Sequence, residues 1–310
     1  MDRNSVQWRG YIPAITTPFT KEGELDCESL RKLLSWLNRE GMHGVITAGT
    51  QGEWFTLSFE EKRYLLETVS SELRGKCTII AGCNGYTAAE VIRNSELAQG
   101  FGFDGILLSA PPYMKLTDNE IYEFYAEVSG EISLPICVYN WPPGTNVDMS
   151  LELLQKLAEL DKVVAIKNST PDQRHFLNVF YALKDKVRVF GIPMSDLGIT
   201  LVQQDNADGM MGAGAILGRD HPDFFNAIWA GDIETARIIA KKDTTLMQAW
   251  FNSDYTGKFG SAQAIFKEAL NQQGLPGGYP RSPILPLDER GVDEVRKTLL
   301  AVGRLPNEEL

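Results

Sequence analysis

A chain of 310 residues, 43% hydrophobic and 23% charged, is long enough for one large α/β barrel or two small domains with a real core. Its formal net charge of −11 argues against a nucleic-acid or anionic-membrane surface, though a site for an acidic substrate needs only a few local donors. The opening Met1-Asp2-Arg3-Asn4-Ser5 lacks the apolar core of a signal peptide and no apolar run approaches bilayer length, so a cytoplasmic location without a membrane partner is expected.

Short apolar runs alternate with helical patterns along the chain. Tyr11 to Phe19 reads as a first strand, followed by a helix over Cys27 to Glu40 with Leu30, Leu33, Leu34 and Leu37 on one face. Gly44 to Thr47 is a second strand, and Ser58-Phe59-Glu60-Glu61 forms a capping box before the next helix. Cys77 to Ala81, Gly105 to Leu108 and Pro135 to Tyr139 are strands three to five, with helices from Thr87, Asp118 and Ser150 between and after them. Val163 to Lys167 is the sixth and Val187 to Phe190 the seventh; Gly209 to Gly212 is a weak eighth. Eight strand–helix units predict a parallel (β/α)8 TIM barrel over residues 1–220, because a doubly wound sheet would want a glycine fingerprint after strand one. From about Pro222 the pattern is purely helical, so residues 221–310 read as a helical extension packed on the barrel.

The sixth run, Asp161-Lys162-Val163-Val164-Ala165-Ile166-Lys167-Asn168-Ser169-Thr170, places a lysine at the mouth of such a barrel. Alternation puts Val163, Ala165 and Lys167 on one face and Val164 and Ile166 on the other. A lysine there is costly unless neutral or paired, which suits an amine needed as a nucleophile. Strands five and six are neighbours, so Tyr139 should stand beside Lys167, and a phenol near an amine fits proton shuttling to an imine. The turn Ala48-Gly49-Thr50-Gln51-Gly52-Glu53 after strand two can point backbone N–H groups at a carboxylate. Cys27, Cys77, Cys83 and Cys137 form no Cys-x-x-Cys pair and His43, His175 and His221 are scattered, so no metal site and no disulfide is expected.

Taken in order, Gly49-Thr50-x-Gly52-Glu53 with Leu57-Ser58-x-x-Glu61, Tyr139-Asn140-x-Pro142 and Ile166-Lys167 make the chain resemble the dihydrodipicolinate synthase and N-acetylneuraminate lyase family, the pyruvate-dependent class I aldolases, over about Ile12 to Leu285. The resemblance implies a Schiff-base lyase that joins or cleaves pyruvate and an aldehyde at Lys167, with Tyr139 as acid/base and no cofactor. It implies that Thr50 relays protons between Tyr139 and a Tyr113 donated by a neighbouring subunit of a homodimer or homotetramer. It also implies that the backbone of Thr50 and Gln51 holds the substrate carboxylate, and that Gly191 and Met211 line the pocket. Gln51 stands where the family often has Thr or Ser, and Trp54 where a small residue is usual. Gly144 stands where the synthases carry an arginine for the second substrate's carboxylate, and no arginine lies between Phe103 and Lys167. The second pocket is therefore expected to take a neutral or aromatic aldehyde. Three alternatives stay open: a 2-keto-3-deoxy sugar-acid dehydratase on the same imine, 4-hydroxy-tetrahydrodipicolinate synthase despite Gly144, and a non-catalytic small-molecule binding homologue.

Overall fold

The computed structural model describes residues 1–306. Its strands are β1 (Gly10–Tyr11), β2 (Gly44–Thr47), β3 (Thr78–Gly82), β4 (Gly105–Ser109), β5 (Ile136–Asn140), β6 (Val163–Asn168), β7 (Arg188–Phe190) and β8 (Gly209–Met210). They form one parallel sheet in the order β1-β8-β7-β6-β5-β4-β3-β2. Ala14 closes it, bridging to Ile46 on one side and Ala213 on the other. The Ile15 N–H adds a bond to the Ile46 carbonyl at 2.9 Å. The (β/α)8 barrel predicted from strand–helix alternation is therefore present.

The helices are α1 (Cys27–Arg39), α2 (Phe59–Leu73), α3 (Ala88–Gly100), α4 (Asp118–Glu131), a short α5 (Pro142–Thr145), α6 (Leu151–Leu157), α7 (Gln173–Leu183), α8 (Asp196–Asp205), α9 (Asp220–Ala230), α10 (Ile233–Trp250), α11 (Ala262–Gln272) and α12 (Glu289–Ala301). Ser58 caps α2 in the predicted reciprocal box with Glu61. Helix α9 follows β8 and packs on β1, so it completes the eighth unit, and the division anticipated at 220/221 falls on its first turn. Helix α10 lies against α8 and α9, and α12 against α10 and α11.

Two expectations are corrected. The first strand is two residues long rather than nine, because Pro13 and Pro18 have no N–H to give a ladder. In β6, Ile136 pairs with Val163 but Cys137 pairs with Ala165, so Val164 is an inserted residue, a β-bulge. The bulge turns Val164 inward beside Ala165, while Val163 joins the core between barrel and helices. Lys167 still faces the interior, because alternation resumes after the bulge.

The barrel interior is apolar. Ile12, Ile46, Ile80, Leu107, Phe190 and Met211 pack within it, with Trp8 and Val6 in the same cluster. Polar groups stand at its two ends: buried Arg188, at the start of β7, pairs with Asp208 at 2.7 Å, and the rim at the C-terminal strand ends is where barrels of this kind carry their sites.

Candidate active site

Lys167 and Tyr139 are register partners across β5 and β6. The lysine is 6% exposed, and its Nζ lies 4.1 Å from the centroid of the Tyr139 ring. Among the described residues no carboxylate pairs with it, so the loss of water around the ammonium is opposed only by the Tyr139 ring face and, weakly, by Cys137. Burial accordingly pulls the amine down to about 8. Tyr139 is also buried, which drives its phenol well above the usual range, while the hydroxyls of Thr50 and Ser169 pull the other way. Ser169 had no role in the sequence reading. It lies just past the end of β6, where its N–H bonds the Asn140 carbonyl at 3.0 Å.

The turn after β2 is held from three sides. Thr17 donates to the Gly52 carbonyl at 2.8 Å, and Gln263 of α11 donates to the Thr50 carbonyl at 3.0 Å. Glu53, in left-handed backbone conformation and fully buried, pairs with Lys267 of α11 and accepts the Arg281 N–H at 2.9 Å. The N–H groups of Thr50 and Gln51 make no protein hydrogen bond among the described residues, and both residues line the cavity beside Lys167. Two unspent donors on a rigid turn are what a carboxylate needs.

The tie between Glu53 and Lys267 was not legible in the sequence, since the partners are remote and neither has a periodic signal. Lys267→Met should strand a buried carboxylate and destabilise the protein by about 3–5 kcal/mol in urea unfolding. Adding Glu53→Gln should recover much of the loss; a Lys267→Met protein as stable as the parent would show that the pair does not hold the turn.

A cavity of about 320 Å³ opens at the rim, and Thr50, Gln51, Tyr139, Lys167, Gly191 and Met211 all line it. Gly191 has φ +121, and a Cβ there would come within 2.5 Å of the Asn168 carbonyl oxygen, so backbone and space both require glycine. Tyr113, the remaining candidate, is apart from this group: it lies beyond β4, 85% exposed, at φ 86. Behind the site, Asn140 donates to Asp148 at 2.6 Å and to Asn168 at 3.0 Å, and accepts the Met149 N–H at 3.0 Å. Thr170 donates to the other Asp148 oxygen at 2.8 Å. Asn140 stood in the quoted motif; Asp148, Asn168 and Thr170 join it only through the fold.

The outer wall is aromatic. Trp141 stacks on Tyr139 with centroids 5.9 Å apart and planes 15° apart, and Tyr255, from the loop between α10 and α11, lies 6.3 Å from Trp141 at a 30° tilt. A Cβ at residue 144 would come within 2.5 Å of the indole Cδ1, so Gly144 is the space into which Trp141 fits.

The model of the dihydrodipicolinate synthetase family matches residues 7–302. A 4-hydroxy-tetrahydrodipicolinate synthase of Thermodesulfovibrio yellowstonii is 32% identical over 297 residues, spanning 96% of this chain and 99% of the relative. A dihydrodipicolinate synthase from Acinetobacter baumannii, solved with pyruvate, matches with a TM-score of 0.85 at 29% identity over 96% of this chain and 99% of its own. A dihydrodipicolinate synthase variant described as monomeric matches with a TM-score of 0.84 at 27% identity, over 98% of this chain and 99% of its own.

Proposed function

The chain belongs to the dihydrodipicolinate synthetase family and is a pyruvate-dependent class I lyase; from that premise we propose that Lys167 is its imine-forming amine and Tyr139 its proton carrier. One observation carries the assignment: a buried lysine, without a carboxylate partner among the described residues, whose amine stands over a buried tyrosine ring in the barrel mouth.

The steps follow from these groups. The neutral amine of Lys167 adds to C2 of pyruvate, and the Tyr139 phenol protonates the departing hydroxyl, leaving iminium, water and phenolate. The phenolate then takes a C3 proton and the iminium accepts the electron pair, giving an enamine. Attack of C3 on the aldehyde carbon forms the new bond, and the phenol protonates the new oxygen. Water hydrolyses the iminium and returns the amine and the phenol; cleavage is the reverse. The free N–H pair of Thr50 and Gln51 holds the pyruvate carboxylate throughout. Thr50, whose hydroxyl pulls the phenol's pKa down against burial, steadies the phenolate whenever it forms.

Trapping with cyanoborohydride tests this. An amine near 8 is about one-tenth neutral at pH 7, against about one part in three thousand at the ordinary lysine value. The rate of adduct formation on Lys167 should rise nearly tenfold per pH unit below 7 and level off above about 8. A rate still climbing tenfold per unit between pH 9 and 10 would mean an ordinary lysine.

Among the described residues no arginine lines this cavity, so we propose an acceptor without a second carboxylate. We further propose a cytoplasmic enzyme. Its cysteines are unpaired, as a reducing compartment favours, and among the described residues no helix is long and apolar enough to cross a membrane.

We also assign the exposed Tyr113 to a two-fold partner's site, in a homodimer or a dimer of dimers. A closed symmetric pair would give and receive this residue reciprocally. Mixing inactive Lys167→Ala with inactive Tyr113→Phe subunits should then restore part of the activity. No rescue in verified hybrids would confine each site to one chain.

A further inference from the structure

We infer that the aldehyde subsite is a stacking site for an uncharged aromatic aldehyde, with Trp141 as the residue that selects it. The inference rests on the imine chemistry at Lys167 and specifies its second substrate.

Three sets of observations lead there. Trp141 is pinned rather than draped: its carbonyl accepts the Gly144 N–H at 3.0 Å, the Thr145 N–H at 3.1 Å and the Thr145 hydroxyl at 3.0 Å. Pro142 and Pro143 stiffen the turn that follows it. Its indole fills the room that a side chain at residue 144 would need, so the tryptophan and the missing side chain are one feature. Tyr255 extends the aromatic surface from the loop between α10 and α11, on a tight turn closed by the bridge between Phe251 and Gly257.

The rest of the lining agrees. Met194, Met247 and Phe251 face the same cavity, and thioethers pack favourably against aromatic rings. Apart from Lys167, the ionisable cations and anions of the lining are His221 and Asp243. These two face each other at 3.6 Å, so no free cation awaits an anionic tail, and Asp243 would repel one. A carboxylate stranded in such a pocket is heavily disfavoured. A flat neutral ring laid on Trp141 gains both apolar burial and stacking. The bond made is still C3 of the enamine to the aldehyde carbon, with the aldehyde oxygen taking the phenolic proton, so the ring changes recognition and not the chemistry.

The test compares three acceptors with pyruvate: benzaldehyde, propanal and 4-oxobutanoate. Benzaldehyde should show a kcat/KM at least about tenfold above propanal, the scale of one aromatic contact plus the extra burial, and 4-oxobutanoate should be the poorest. Trp141→Ala and Gly144→Ala, the second by pushing the indole aside, should each lower the benzaldehyde value about tenfold more than the propanal value, so that the preference for the ring is lost whatever either does to turnover in general. Trp141→Phe, which keeps a ring, should stay within about threefold of the parent, separating lost stacking from lost folding. The inference is overturned if benzaldehyde is no better than propanal, if Trp141→Ala lowers both alike, or if pyruvate is trapped on Lys167 yet no acceptor condenses. Absence of the trapped adduct in the unaltered protein overturns the imine chemistry itself, and this inference with it.

Discussion

Replacing Lys167 with methionine should abolish the reducible pyruvate adduct and lower turnover by roughly six orders of magnitude, the scale seen when an enzyme loses its nucleophile outright. The same substitution should stabilise the protein. The amine titrates near 8 in the fold, against 10.5 for an ordinary lysine, so between those values the unfolded chain binds more protons than the native one and stability rises with pH. The burden on the parent is therefore full below pH 8 and fades as pH climbs toward 10.5. Methionine, close in volume, should gain on the order of 3 kcal/mol at pH 7, and the gain should shrink above pH 8. Urea unfolding of parent and variant at pH 7 and pH 10 measures it. A variant that is less stable at both pH values would mean that the amine is satisfied by interactions other than those found here. A variant that still forms the adduct at this position would remove Lys167 from the mechanism.

Tyr139→Phe should leave the adduct detectable while cutting turnover by roughly two to four orders of magnitude, the usual worth of a positioned acid/base group. The substitution removes one oxygen from a ring packed between Trp141 and the Lys167 amine, so the packing should survive and the proton path should not. Exchange of the C3 protons of bound pyruvate into deuterated water reads that path directly, and should slow in step with turnover. Turnover near the parent rate would make Tyr139 a structural aromatic, and would shift the proton to water or to another hydroxyl of the site.

The barrel was legible in the chain because its signals are local. Apolar runs of strand length, helical spacing and caps such as Ser58 with Glu61 depend on near neighbours in sequence. The adjacency of Tyr139 and Lys167 followed as well, since consecutive strands of a parallel barrel lie side by side and both residues end their strands. Other features needed the folded chain. The bulge at Val164 reassigns the inner and outer faces of β6 because register depends on the partner strand as well as on alternation within one strand. Glu53 meets Lys267, and Gln263 meets Thr50, only once α11 docks beside the rim. Trp141 settles over Gly144 because backbone geometry brings the ring and the empty Cβ position together. Sequence by itself determined the strand ends on which Lys167 and Tyr139 stand, because period and caps are properties of short stretches, while the parts given to Thr50, Gln51, Tyr113, Gly191 and Met211 are what the family resemblance implies. Tertiary structure alone decided what holds the turn after β2 and what walls the cavity beside Lys167, because those contacts join residues whose only relation is the space they share.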